Sequence, residues 1–308
     1  TVEIHLKEPL AFFLNMLTAI EASVIPSEAV DESTLRMVRP IGCGPFKVVD
    51  TDRNKVTFQR FDDYFDKTVA NVDKVVFDYS AKTPTDLVAM LREGSVDIVP
   101  SLAKEALEEL FREEEWQSQF ESALLLSTTF FTFRCDVGPF AQKEVRQAVN
   151  YAIDKDALSA EHPATDPKPA MGIFPPGILG FNPQQRGYPF DPDKAKWLLT
   201  KAGHSNGFRV KVPTDESRVN QRKDFDFVVN SLKAVNIIID EESLTHDDFA
   251  SRNKKEGRPP IYATGWYADY PDPDNFIYVL FHSSSGDILG TKYTSPVLDS
   301  LAEKARRS

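Results

Sequence analysis

The residues of this chain best suited to chemistry stand together between Gly265 and Phe276. Three carboxylates (Asp269, Asp272, Asp274), two prolines (Pro271, Pro273) and four rings (Trp266, Tyr267, Tyr270, Phe276) fall within twelve residues, directly after the apolar run Ile261-Tyr262-Ala263. A strand that ends in a proline-stiffened loop holds an indole and a carboxylate at fixed positions, giving one apolar wall and one charged anchor for a small cationic group. Asp, Pro and Asn also make plain surface turns, which is the competing account. Turns seldom carry Trp, Tyr and Phe together, so recognition is the better reading.

Catalytic readings of the same residues lack support. Asp269 and Asp272 form a candidate carboxylate pair for a glycosidase-like hydrolase, but nothing in the sequence sets their separation. The chain carries no nucleophile elbow, phosphate-binding glycine loop, zinc-protease helix or dinucleotide fingerprint. Cys43 stands between Gly42 and Gly44 with no predictable histidine or helix start to lower its pKa. His162, His204, His246 and His282 lack metal-ligand spacing, so no metal or cofactor is expected. Cys43 and Cys135 are too few for a disulfide framework, and both are expected as free thiols.

Bulk properties narrow the class further. The 308 residues are 41% hydrophobic and 27% charged, enough for two domains of ordinary size and without an apolar run near membrane-spanning length. A net charge of −11, with Lys and Arg scattered, argues against nucleic acid as a partner and mildly favours cationic ligands.

The elements that must position the site read as alternating strand and helix. Strands are expected at 1–6, 45–49, 55–59, 72–79, 96–99, 124–133, 208–212, 237–240 and 261–264, with the second and third forming a hairpin across Asp52-Arg53-Asn54. Helices are expected at 10–17, 84–92, 103–116, 144–153, 194–201, 225–234, 247–253 and 296–307, several opened by Pro or closed by Gly. The acidic run around Glu108, Glu109 and Glu113 to Glu115 is the solvated face of the third of these. Residues 174–183 carry turn formers that exclude a regular helix.

Gly265 to Phe276 resembles the signature of the family 5 extracellular solute-binding proteins, the peptide- and nickel-binding components of ABC importers. Four further segments match that family in order: Arg39 to Val48, with Cys43 where Thr is usual; Leu91 to Ile98; Val145 to Lys155; and Asp191 to Leu199 with Ala202-Gly203. The resemblance implies an α/β, periplasmic-binding-protein-like fold of type II, two lobes with mixed sheets joined by crossing hinge strands. It implies residues 1–133 as part of the first lobe, with a hinge-proximal loop at 39–48, and 134–308 as the ligand-binding second lobe. Relative to the family the chain starts within the first lobe, with no leader at Thr1, and stops short of its C-terminal end; an excised fragment is the expectation.

The resemblance also implies roles. Asp269 would pair with a peptide's α-ammonium, with Trp266 and Tyr267 flanking the ligand. The strand ending at Phe133 would cross between the lobes and line their cleft, bringing Arg134 and Cys135 to the ligand in place of the usual Phe-Asn pair. An arginine there holds a ligand carboxylate if it faces the cleft and is a plain surface charge if it faces out. The implied protein is a periplasmic or extracellular monomer that delivers peptides or similar small solutes to membrane permease subunits. A ligand-sensing domain of the same fold in a signalling protein is the alternative.

Overall fold

The computed structural model describes residues 2–308 apart from Leu35, Val38, Arg39, Ser122, 163–166 and 218–221. The chain divides into two compact units, one made of Thr1–Thr18 with Ala123–Ser308 and the other of Ala19–Ser122. The strand that ends at Phe133 hydrogen-bonds along its length to a strand near the C-terminus, which holds it in the larger unit.

In chain order, the N-terminal segment carries only the short helix α1 (Phe13–Met16). Residues 2–6 form no strand, and Thr1 lies outside the described residues; an alternating pattern needs a partner edge, and Val2 and Ile4 are exposed without one. The smaller unit opens with the two-residue pair β1 (Val30–Asp31) and β2 (Arg36–Met37), then builds an antiparallel sheet from β3 (Phe46–Thr51), β4 (Lys55–Arg60) and β5 (Lys74–Asp78). Of the loop expected at 39–48, Arg39 lies outside the described residues and the rest leads into β3.

Helix α2 (Pro84–Arg92) follows, started by a capping box between Thr83 and Asp86 and closed at Gly94, whose φ is +68°. Residues 96–99 stay irregular, with Ile98 exposed. The helix expected at 103–116 is broken into α3 (Lys104–Phe111) and α4 (Glu114–Gln117). Glu109 and Glu113 would repel at helical spacing, and both instead pair with Arg92. Val88, Ala106 and Leu110 make a small core here.

The larger unit then runs β6 (Ser127–Phe133), α5 (Lys143–Ala152), α6 (Lys155–Ala160), α7 (Pro192–Lys201), β7 (Phe208–Asp215), α8 (Arg222–Lys233), β8 (Ile237–Leu244), α9 (His246–Glu256), β9 (Ile261–Tyr267), α10 (Asp274–Phe281) and α11 (Pro296–Arg307). Strands β7 and β8 pair in parallel from Phe208↔Ile237 to Asp215↔Leu244, with α8 as the crossover between them. Asp191, Thr245 and Ser295 cap α7, α9 and α11 through their side-chain oxygens. Phe140, Val149, Leu199, Leu232, Ile237 and Ile261 are fully buried in the main core, each worth about 1.5–3 kcal/mol against exposure. A second core of Ile178, Ala268, Phe276, Leu280 and Leu289 sits under the loop after β9, with Trp266 packed against it. Among the described residues no helix is long and apolar enough to cross a membrane.

Candidate binding site

The site rests on an antiparallel ribbon of β6 and β9. Its register runs from Ser127↔Tyr267 at one end to Phe133↔Ile261 at the other. Six residue steps at about 3.3 Å each put these ends about 20 Å apart. The expected ligand residues are therefore split. Trp266, Tyr267 and Asp269 belong to one end, and Phe133, Arg134 and Cys135 to the other.

At the far end each group is occupied by the protein. The Arg134 guanidinium donates from Nε and Nη2 to the two oxygens of Asp136, both at 2.7 Å, and from Nη1 to the Arg258 carbonyl at 3.3 Å. This pairing raises Arg134 further above its ordinary range and lowers Asp136 below the usual carboxylate value. The Cys135 amide donates to the Thr291 carbonyl at 2.7 Å, and burial pushes its thiol up, away from the reactive thiolate. Phe133 packs on Phe140 in the main core, ring centres 5.2 Å apart.

At the near end one buried side chain gathers the others. Asn275 is 1% exposed. Its Oδ1 accepts from the Trp266 indole Nε1 at 2.8 Å and from the Asp269 amide at 3.1 Å, and its Nδ2 donates to Asp269 Oδ2 at 3.1 Å. Successive strand residues point to opposite faces, so Trp266 turns toward the second core and Tyr267, 58% exposed, turns away from it. The indole and Asp269 thus meet through Asn275. Asp269 is exposed.

Beneath this pair the loop is bolted to its unit. Asp272 accepts from the Asp274 amide at 2.9 Å and from Asn15 Nδ2 at 3.3 Å, so its oxygens serve structure, which weighs against the carboxylate pair with Asp269. Asp274, 9% exposed, accepts from the Tyr270 hydroxyl at 2.7 Å and faces Arg306 Nε at 3.2 Å. Burial raises Asp274 above the ordinary carboxylate value and, together with the bond to Asp274, raises Tyr270. The Arg306 guanidinium lies 3.7 Å over the Tyr278 ring, and Phe12 stacks on Tyr270 at 5.5 Å.

Sequence reasoning missed Asn275, Arg306, Phe12 and Asn15. It also missed α10, whose start was legible: Asp272-Pro273 repeats the Asp-Pro helix opening read at Asp191-Pro192. A solvent-open hollow of about 460 Å³ lies at the C-terminal end of β7, where Asp215, Arg222, Phe249 and Tyr262 line it; it includes none of the expected ligand residues. Asp215 there is pulled down to about 2 by the Ser217 hydroxyl first and by His246 second, so its oxygens already have hydrogen-bond partners within the protein. Among the described residues no group of three or more His, Cys, Asp or Glu side chains could hold a metal ion.

The family model of the bacterial extracellular solute-binding proteins, family 5, matches residues 1–287, and the chain belongs to that family. It is 28% identical over 320 residues to heme-binding protein A of Haemophilus influenzae, covering 99% of this chain and 57% of that one. It is 25% identical over 291 residues to the glutathione-binding protein GsiB of Escherichia coli, covering 92% of this chain and 56% of that protein. Among solved structures, the periplasmic binding protein DppA of Helicobacter pylori, in complex with the peptide STSA, superposes with a TM-score of 0.73 at 25% identity, over 98% of this chain and 60% of that one. The chain thus spans a little over half the length of the curated relatives it matches. The bilobal periplasmic-binding-protein fold class read from the sequence is the fold of these relatives.

Proposed function

We propose that this chain is the greater part of a substrate-binding component of an ABC importer. It captures a peptide or similar small solute outside the cytoplasmic membrane, as a monomer, and delivers it to permease subunits without transforming it. Asp269 takes the cationic end of the solute while Trp266 supplies an apolar wall beside it. The observation that carries this reading is the Trp266–Asn275–Asp269 arrangement, in which an exposed carboxylate is held rigidly next to an indole. Asp269 Oδ1 accepts no hydrogen bond among the described contacts, which leaves it open to a ligand ammonium. The names of the relatives support a peptide, heme or glutathione as ligand class, and only a peptide or glutathione brings an ammonium.

The test is calorimetry on the full-length protein with the peptide STSA, reduced glutathione and heme. At least one ammonium-bearing ligand is expected to bind. Asp269→Ala should then weaken it about tenfold to a hundredfold, the worth of one charge-assisted hydrogen bond. Equal affinity of Asp269→Ala and the wild type for that ligand sinks the assignment of Asp269.

A further inference from the structure

We infer that Asn275 is the positioning residue of this site, the group that holds Asp269 in register with the Trp266 indole and orients its open oxygen; this rests on the reading of Asp269 as the ligand's anchor. Three facts support it. Asn275 is almost wholly buried, and its side-chain bonds go to Trp266 and Asp269, with Tyr270 of the same loop as a further partner. Its orientation is fixed by chemistry: Oδ1 meets two N–H donors and Nδ2 meets a carboxylate, so a flipped amide would set donor against donor twice and oxygen against oxygen once. And it is anchored from behind, in the first turn of α10 between Asp274, tied to Arg306, and Phe276, at the centre of the second core.

The consequence for binding is geometric. Asp269 follows Ala268 on an irregular segment and is exposed, so without a tether its carboxylate would sample several rotamers and a ligand would have to order it. The Nδ2 bond removes that cost and occupies Oδ2, leaving Oδ1 as the acceptor offered to one N–H donor of an ammonium. The bond to the indole fixes the wall against which the rest of the ligand packs. No other amino acid of this size presents two acceptances and one donation in this layout. Aspartate keeps the acceptor side and puts a second negative charge against Asp269; leucine keeps the volume and loses all three bonds.

That contrast supplies the experiment, on the full-length protein with STSA and N-acetyl-STSA as probes. Nuclear magnetic resonance of the indole N–H, assigned by its loss in Trp266→Phe, reads the first bond. Exchange with solvent should speed about tenfold in Asn275→Leu and stay within about twofold of wild type in Asn275→Asp. Affinity for STSA should fall about tenfold or more in both variants near neutral pH. In Asn275→Asp it should recover on going from about pH 7 to about pH 5, because two facing carboxylates share a proton that restores the missing donor, whereas wild type stays flat. Asp272, Asp274 with its partners Tyr270 and Arg306, and His282, which acts on Asp274 from the end of α10, are the same in wild type and Asn275→Asp, so the difference between the two profiles isolates the new carboxylate; β6 contributes no charge.

A fixed structural role would not produce the pH rescue. If wild type prefers STSA over its acetylated form but Asn275→Asp binds like wild type or shows no recovery, the positioning role is overturned and the Asp269 reading stands. If wild type shows no preference for the free amine, the Asp269 reading falls and takes this one with it. Should Asn275→Leu fail to fold, the Asn275→Asp profile decides alone.

Discussion

The two ends of the β6–β9 ribbon are made from similar materials: aromatic residues, a charged side chain and a short loop. They differ in what the neighbours have left unspent. At the Phe133 end the charge of Arg134 is closed on Asp136 in a two-point fork and the ring is core. At the Tyr267 end Asn275 takes the indole N–H and one oxygen of Asp269, and leaves the other oxygen open. A charged residue near a ring is therefore no guide to a site until its partners are counted. On the proposed reading, the polar groups that matter most for recognition are the ones held rigidly and only half satisfied.

The strongest way to break this comparison is to remove the support under each end. Phe276 and Phe140 are both fully buried, in separate cores. Each change to Ala should cost about 3–5 kcal/mol in denaturant unfolding. Binding of STSA should also suffer in Phe276→Ala, measured at a temperature where the variant remains folded, because α10 carries Asn275. It should survive in Phe140→Ala. Loss of binding in both to the same extent would mean that the ends are not distinct.

A smaller effect separates charge used for binding from charge used for folding. Asp269→Ala takes one acceptor from the buried Asn275 Nδ2 and should cost only about 1 kcal/mol of unfolding free energy, while weakening ligand at least tenfold. Arg134→Ala should do the reverse: it leaves Asp136 without its fork and costs about 1–3 kcal/mol of stability, with ligand affinity within about twofold of wild type. Melting curves beside calorimetry of the two variants check both halves. Weakened binding in Arg134→Ala would restore the ligand-facing role that the sequence resemblance implied for it.

Much of the larger unit was legible because its signals are local. Asp191-Pro192 and Gly203 bracket α7, and the β-branched run at Ile237 and the hydrophobic stretch at Ile261 mark buried strands. The pairing of Trp266 with Asp269 could be guessed for the same reason, since both lie within four residues. Register between distant strands is not local. Nothing in residues 127–133 says that Ser127, and not Phe133, will stand opposite Tyr267, so the sequence could not show that Arg134 and Asp269 belong to opposite ends of the ribbon, about 20 Å apart. Nor can a pattern show that Arg306, thirty-two residues on, closes on Asp274, or that Phe12 stacks on Tyr270. The strand expected at 1–6 failed for a related reason: alternation describes a face, and without a partner edge among the described residues the face stays exposed.

The finest distinction between the two ends is the sign of their pH dependence. Burial raises the carboxyl of Asp274 above its ordinary 3.8, whereas the hydrogen bonds from Arg134 lower that of Asp136 below 3.8. A raised folded-state value means that the native protein holds a proton the unfolded chain has released, so the contribution of Asp274 is present below pH 3.8 and is lost as pH climbs above it. The contribution of Asp136 is present above 3.8 and is lost as pH falls below it. Unfolding free energies of wild type, Asp274→Asn and Asp136→Asn, measured by denaturant titration from mildly acidic to strongly acidic pH, should show this as opposite slopes. The wild-type advantage over Asp136→Asn shrinks as the solution is acidified, and its advantage over Asp274→Asn grows. Slopes of one sign for both pairs would mean that Arg306 outweighs burial at Asp274. The loop beneath the site would then be held by a fully ionised pair, and the near end would resemble the far end after all.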